Sequence, residues 1–104
     1  MIRVAVMYPQ SKDKSFDLEY FKNKHMKLVK EKLGPMGLVG AELDSGISGI
    51  GGSPAPYFAI GYMVFETLEA FKSAIAKFGQ ELAADTPNYT NVEPLVQISD
   101  FLEM

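Results

Sequence analysis

The chain holds a single histidine, His25. It falls on the apolar stripe of a helical segment, between Phe21 and the Leu28-Val29 pair. An imidazole titrates near neutrality, and a semi-apolar wall tunes it, so His25 is the candidate general base or acid. The competing interpretation is a neutral ring that bonds one carbonyl or carboxylate and otherwise packs. Three of the five tyrosines, Tyr8, Tyr57 and Tyr62, lie in or at the ends of strand-like segments. Each either places a phenol in a cavity or packs with a wetted hydroxyl. Glu42 and Asp44 share one side of an extended segment. Asp85, Asn88 and Thr90 sit in a stretch whose side chains hydrogen-bond their own backbone, which makes them turn builders. One histidine and no cysteine fall short of a metal-ligand set within one chain. Nothing supports a haem ligand, and no cofactor is expected. Residues 49–56 are rich in glycine and proline but lack the Gly-Lys-Ser/Thr ending of a phosphate loop.

The elements that must position these groups are readable from periodicity. Residues 2–8 alternate Ile2, Val4, Val6 and Tyr8 against Arg3, Ala5 and Met7, a strand closed by Pro9. A polar loop, 10–15, leads to a helix capped by Asp17, with Glu19 in its first turn and Phe16 and Phe21 spaced as a hydrophobic staple. Leu18, Phe21, Leu28, Val29 and Leu33 form the inner face; Lys24, Lys27 and Lys30 form a solvated outer one. Gly34-Pro35 ends the helix. Residues 37–48 are extended and glycine-rich, and 57–65 form the strongest strand, with apolar residues on both sides. Thr67 caps a second helix with Leu68, Phe71, Ala74, Ile75 and Phe78 inward and Gly79 at its end; a short turn, 80–84, follows. Residues 95–102 are the last strand. The order β-α-β-β-α-β predicts an α+β, ferredoxin-like fold with a four-stranded antiparallel sheet and both helices on one face.

A chain of 104 residues that is 47% hydrophobic and 22% charged suits one domain, 1–104, with its own core. The net charge of -3 argues against a nucleic-acid partner. No apolar run approaches the roughly 18 residues of a membrane span, and the N-terminus has no signal-like pattern. With no cysteine, the expected setting is the reducing cytoplasm.

A lone sheet of this kind would alternate apolar-in and polar-out, and strand 57–65 does not. With Met7, Met63 and Phe65 taken as the surplus face, leaving them exposed forgoes about 1.5–3 kcal/mol each. The expected remedy is a homodimer, sheet face against sheet face.

Taken together, several stretches resemble the EthD family, named for ethyl tert-butyl ether degradation. They are Tyr8-Pro9, Phe16-Asp17-x-x-Tyr20-Phe21-x-x-x-His25, Tyr57-Phe58-Ala59-Ile60 and Val64-Phe65-Glu66-Thr67-Leu68-Glu69-Ala70-Phe71. Asp85-x-Pro87-Asn88-Tyr89-Thr90 and Pro94-x-x-Gln97-Ile98-Ser99 complete the pattern, which covers nearly the whole chain. The resemblance implies a dimeric α+β barrel, in a superfamily of small monooxygenases, isomerases and cyclases. The family is associated with degradation operons and is loosely classed as oxidoreductase-related. It assigns a role to His25 and lets the Asp85–Thr90 segment wall a pocket.

The resulting expectation is a small cofactor-independent enzyme for an apolar or aromatic carbonyl or polyketide-like compound. His25 acts as acid or base, with Tyr8 or Tyr62 orienting an oxygen. Phe21, Met63, Asp85, Asn88 and Tyr89 line the substrate. The alternatives are a non-catalytic binding protein for a hydrophobic metabolite, and a structural dimer with His25 silent.

Overall fold

In the computed structural model, which describes residues 1–104, the alternating N-terminal segment is strand β1 (Ile2–Pro9) at the centre of the sheet. It pairs antiparallel with β3 (Tyr57–Phe65) on one side and β4 (Leu95–Asp100) on the other. The second strand, β2 (Leu38–Ser45), pairs with the far edge of β3, giving the order β2-β3-β1-β4. This is the predicted α+β architecture. The glycine-rich segment after β2 is the expected connection to β3, with a short 3-10 turn at Ile50–Gly52.

Register decides which side of β3 is inside. Ile2 opposes Phe65, Val4 opposes Met63, Val6 opposes Gly61 and Tyr8 opposes Ala59. Directly opposed residues share a face, so Met63 and Phe65 point to the helices with the inner set of β1. Both are buried, Phe65 completely. Contrary to the expectation, neither belongs to the surplus face; of the three residues expected there only Met7 does. The outer face instead carries Ala5 and Met7 with Ile60, Tyr62 and Val64. Its half-buried centre is apolar, while Arg3, Glu42, Asp44, Gln97 and Ser99 share the same face around it.

The helix α1 begins as expected: the Asp17 carboxylate accepts from Tyr20 N–H at 3.1 Å, and Phe16 meets Phe21 with ring centroids 5.1 Å apart. It is not uniform, however. An α-helical turn (Leu18–Tyr20) passes into a π-helical turn (Phe21–His25) before α-helix resumes (Met26–Leu33). A 3-10 turn, Gly34–Met36, then leads to Gly37, whose φ of 100° closes the helix in the left-handed region. The α-helix therefore stops at Gly34-Pro35 as expected, and one 3-10 turn carries the chain on to Gly37.

The helix α2 (Leu68–Ala84) starts at Thr67, whose hydroxyl accepts from Ala70 N–H at 3.1 Å. It passes straight through Gly79, expected to be its end. Gly79 has no positive φ, and Leu82 beyond it is buried, so the helix continues to cover core. The core is a cluster between sheet and helices, with Val4, Phe21, Leu33 and Phe65 its most enclosed large side chains. The helices leave β4 bare: Val96 (59%) and Ile98 (47%) are exposed on the helix side, and Leu95 (54%) on the outer face. No helix is long and apolar enough to cross a membrane.

Candidate functional site

The loop that follows α2 is stitched to the start of α1. Asp17 N–H donates to the Tyr89 carbonyl at 2.7 Å, the Thr90 hydroxyl donates to the Ser15 carbonyl at 2.6 Å, and Phe16 and Thr90 form a β-bridge. These bonds bring the end of α2 against the π-turn of α1. The turn is closed by Met26 N–H donating to the Phe21 carbonyl, five residues back rather than four. Single π-turns of this kind recur at functional sites. Here the residues flanking the turn, Phe21, His25 and Met26, are all buried.

His25 Nδ1 lies 3.0 Å from Asp85 Oδ2. The carboxylate also accepts from the Tyr20 hydroxyl at 2.7 Å and from the Asn88 amide at 2.9 Å, both on Oδ1. Burial pushes the Asp85 carboxyl up, but the hydrogen bonds from Tyr20, Asn88 and His25 outweigh it and hold the group below its ordinary value. An ionised Asp85 only accepts, so it fixes the proton of a neutral His25 on Nδ1 and leaves the Nε2 lone pair free. Nε2 has no protein partner. Because no buried side-chain nitrogen or oxygen lacks one, Nε2 must touch open space.

His25 lines a cavity of about 230 Å³ between the helices and the sheet, whose 15 lining residues include 10 hydrophobic ones. His25, Phe21 and Tyr8 line it beside Met63, Gly61 and Val96. No Asp, Glu, Lys or Arg faces it. The ring of Phe21 lies nearly parallel to His25, at 14° and 5.7 Å, and Tyr89 packs against the imidazole at 4.7 Å. The Tyr8 and Tyr89 hydroxyls are 2.7 Å apart. Burial pushes the Tyr8 phenol far above its ordinary value, with a smaller contribution from Tyr89, and burial also raises Tyr89. Both are neutral hydrogen-bonding groups at any physiological pH. No three His, Cys, Asp or Glu side chains converge to ligate a metal ion.

Of the residues named from the sequence, the structure thus gathers His25, Tyr8, Phe21 and Met63 on one cavity. Asp85 sits behind the imidazole. Asn88 and Tyr89 face a separate polar depression on the outside of the loop, although Tyr89 reaches through to Tyr8. Tyr62 is not brought to the cavity. It lies on the opposite face of the sheet, where its hydroxyl donates to Asp44 at 2.9 Å and Arg3 stacks on its ring. Period two makes this unavoidable: Gly61 and Met63 point inward, so Tyr62 points out. Sequence reasoning missed the pairing of Asp85 with His25 and the part of Tyr20 in it. No local signal carried it: five residues apart on an α-helix, Tyr20 and His25 point about 140° from one another, and they meet only through Asp85.

A four-stranded antiparallel sheet with two helices on one face, in the order β2-β3-β1-β4, defines a ferredoxin-like α+β protein with a cavity between its layers. No sequence profile of a known family matches the chain, and no curated protein matches it. Among solved structures, an EthD-like protein from Ralstonia eutropha JMP134 is 33% identical with a TM-score of 0.89, over 95% of this chain and 89% of that one. An ethyl tert-butyl ether degradation (EthD) family protein from Bacillus halodurans C-125 is 18% identical with a TM-score of 0.76, over 98% and 99%. A dimeric ferredoxin-like protein from an uncultured marine organism shares the fold at 11% identity and a TM-score of 0.51, over 99% and 100%. The chain belongs to the EthD-like family.

Proposed function

We propose that the cavity beneath α1 binds a small, neutral, largely apolar carbonyl compound and that His25 exchanges a proton with it. One observation carries this reading. A buried His25 is held through Nδ1 by Asp85 at 3.0 Å, with Nε2 left to the cavity. In the forward step Nε2 accepts a proton from the carbon next to the ligand carbonyl. The electron pair of the broken C–H bond passes into the enolate, and Asp85 stabilises the imidazolium formed. Return of the proton to another carbon completes an isomerisation or sets up a ring closure. Tyr8 lines the same cavity and stays protonated. When Tyr89 donates to Tyr8, the Tyr8 proton is free for the ligand oxygen.

The test is deuterium incorporation into the α-positions of 2-tetralone in heavy water, followed by NMR. The native protein accelerates exchange, and His25→Ala abolishes the acceleration while still binding the ketone. Binding without exchange by the native protein overturns proton transfer and leaves the second reading, a binding protein for hydrophobic metabolites. The scarcity of polar groups in the cavity favours that reading as runner-up.

We also propose that two copies pair through the outer sheet face, using Met7, Ile60, Val64 and Leu95. The apolar centre of that face, rimmed by Arg3, Glu42 and Asp44, and the dimeric ferredoxin-like neighbour support it. The whole chain then acts as one domain. Its lack of cysteine supports a cytoplasmic setting, and the name of the Bacillus halodurans relative supports a place in small-molecule degradation.

A further inference from the structure

Two glycines line the cavity from opposite layers, Gly61 in the middle of β3 and Gly79 inside α2. Neither is required by the backbone. The glycines with positive φ are Gly37, Gly51 and Gly52, so the φ angles of Gly61 and Gly79 do not call for glycine. A glycine inside a helix is less favourable than alanine, and one inside a strand weakens it; in strands it often marks close approach of a ligand. A helix and a strand that both omit a side chain at the same cavity give up stability to keep space.

The space is bounded closely. A Cβ on Gly61 would stand 3.1 Å from Phe21 Cζ and 3.6 Å from Met26 Sδ. A Cβ on Gly79 would stand 3.0 Å from Cγ2 of Ile75, which lines the cavity one turn earlier. In each case the added methyl would have to displace a cavity-lining side chain.

We infer that Gly61 and Gly79 are the specificity-determining positions of the site, and that together they set its width for a neutral two-ring ligand. The inference rests on the ligand-binding reading above. The cavity of about 230 Å³ exceeds the roughly 150 Å³ that encloses a single benzene ring. Neutrality follows from the lining, which has no cation to pair with an anion, and from the Asp85 carboxylate behind His25. A negatively charged ligand would be stripped of water with nothing to replace it.

The experiment titrates acetophenone (one ring) and 2-acetonaphthone (two rings) into the native protein, Gly79→Ala and Gly61→Ala, following chemical shifts by NMR. The native protein binds both ketones. Each variant weakens 2-acetonaphthone at least tenfold and leaves acetophenone within threefold. The melting temperature of each variant is measured alongside, and a folded variant that loses the larger ligand while keeping the smaller one has not lost it by unfolding. Retention of 2-acetonaphthone within threefold by both variants overturns the inference and leaves the His25 reading standing. Equal loss of both ketones overturns it too, since the effect is then not one of size. Failure of the native protein to bind either ketone overturns the ligand-binding reading itself, and this inference with it.

Discussion

Replacing Asp85 by asparagine changes one atom's chemistry and little of its shape. In the native protein Oδ1 serves two donors, Tyr20 and Asn88, while Oδ2 serves His25 alone. The asparagine has one acceptor oxygen, and it is used best where two donors converge. The amide NH₂ then faces His25 Nδ1, and the imidazole responds by moving its proton to Nε2. The group presented to the cavity changes from a base to a donor. To act as a base again, the ring must restore Nδ1–H against an opposing donor and without the charge-assisted bond. That costs about 3–5 kcal/mol, a loss of about 10²–10⁴-fold in proton-transfer rate. Stability falls by about 1–2 kcal/mol, a melting-temperature drop of roughly 5–10 °C. Ligand affinity stays within a few-fold, because Asp85 does not line the cavity. The assay pairs 2-tetralone exchange with nitrogen NMR of the ring; with one histidine in the chain the tautomer is read without assignment ambiguity. A variant that keeps the Nδ1–H tautomer and exchanges within threefold of the native rate refutes the proposed role of Asp85.

Two further outcomes follow from groups already placed. The Tyr8 and Tyr89 phenols are raised in the folded state, chiefly by burial. The stability they contribute is therefore complete below the ordinary phenol value of 10.0 and is lost as pH rises through the alkaline range. Urea midpoints measured from pH 8 to 11 should fall most steeply above pH 10, and Tyr8→Phe should flatten that fall; an unchanged slope would contradict the raised values. Ile60→Asp on the outer sheet face should convert a dimer to a folded monomer in sedimentation at micromolar concentration, with the cavity intact. A native protein that already sediments as a monomer would remove the dimer.

Period-two alternation in β1 and the caps at Asp17 and Thr67 were legible because each depends on residues close in sequence. Position on the apolar stripe likewise singled out His25. Gly79 shows where local signals stop: glycine suits a helix end, and only the burial of Leu82 beyond it reveals a helix that continues. The inner side of β3 was undecidable from β3 itself, since both of its sides are apolar. The β1 register resolves it, because Val4 and Ile2 carry Met63 and Phe65 inward. The Asp85–His25 contact joins residues 60 apart, and no local pattern encodes it. It depends on the bonds that tie the 85–92 loop to residues 15–17. The π-turn was unreadable for a related reason. It arises because one half of α1 answers to that loop and the other to the sheet.

The extra residue in the Phe21–His25 turn lets α1 run two frames in series. The Asp17–Tyr20 frame is keyed to the loop through Tyr89 and Asp85, and the Met26–Leu33 frame is keyed to β2 and the core. A π-turn takes up one residue more than an α-turn between the same two flanking frames. Removing any one of Lys22, Asn23 or Lys24, all exposed, would let Met26 N–H meet the Phe21 carbonyl at the ordinary four-residue spacing, with Asp17 and Tyr20 still set against the loop that holds Asp85. This turn is therefore the stretch of α1 where the chain can change length without moving the frames on either side of it.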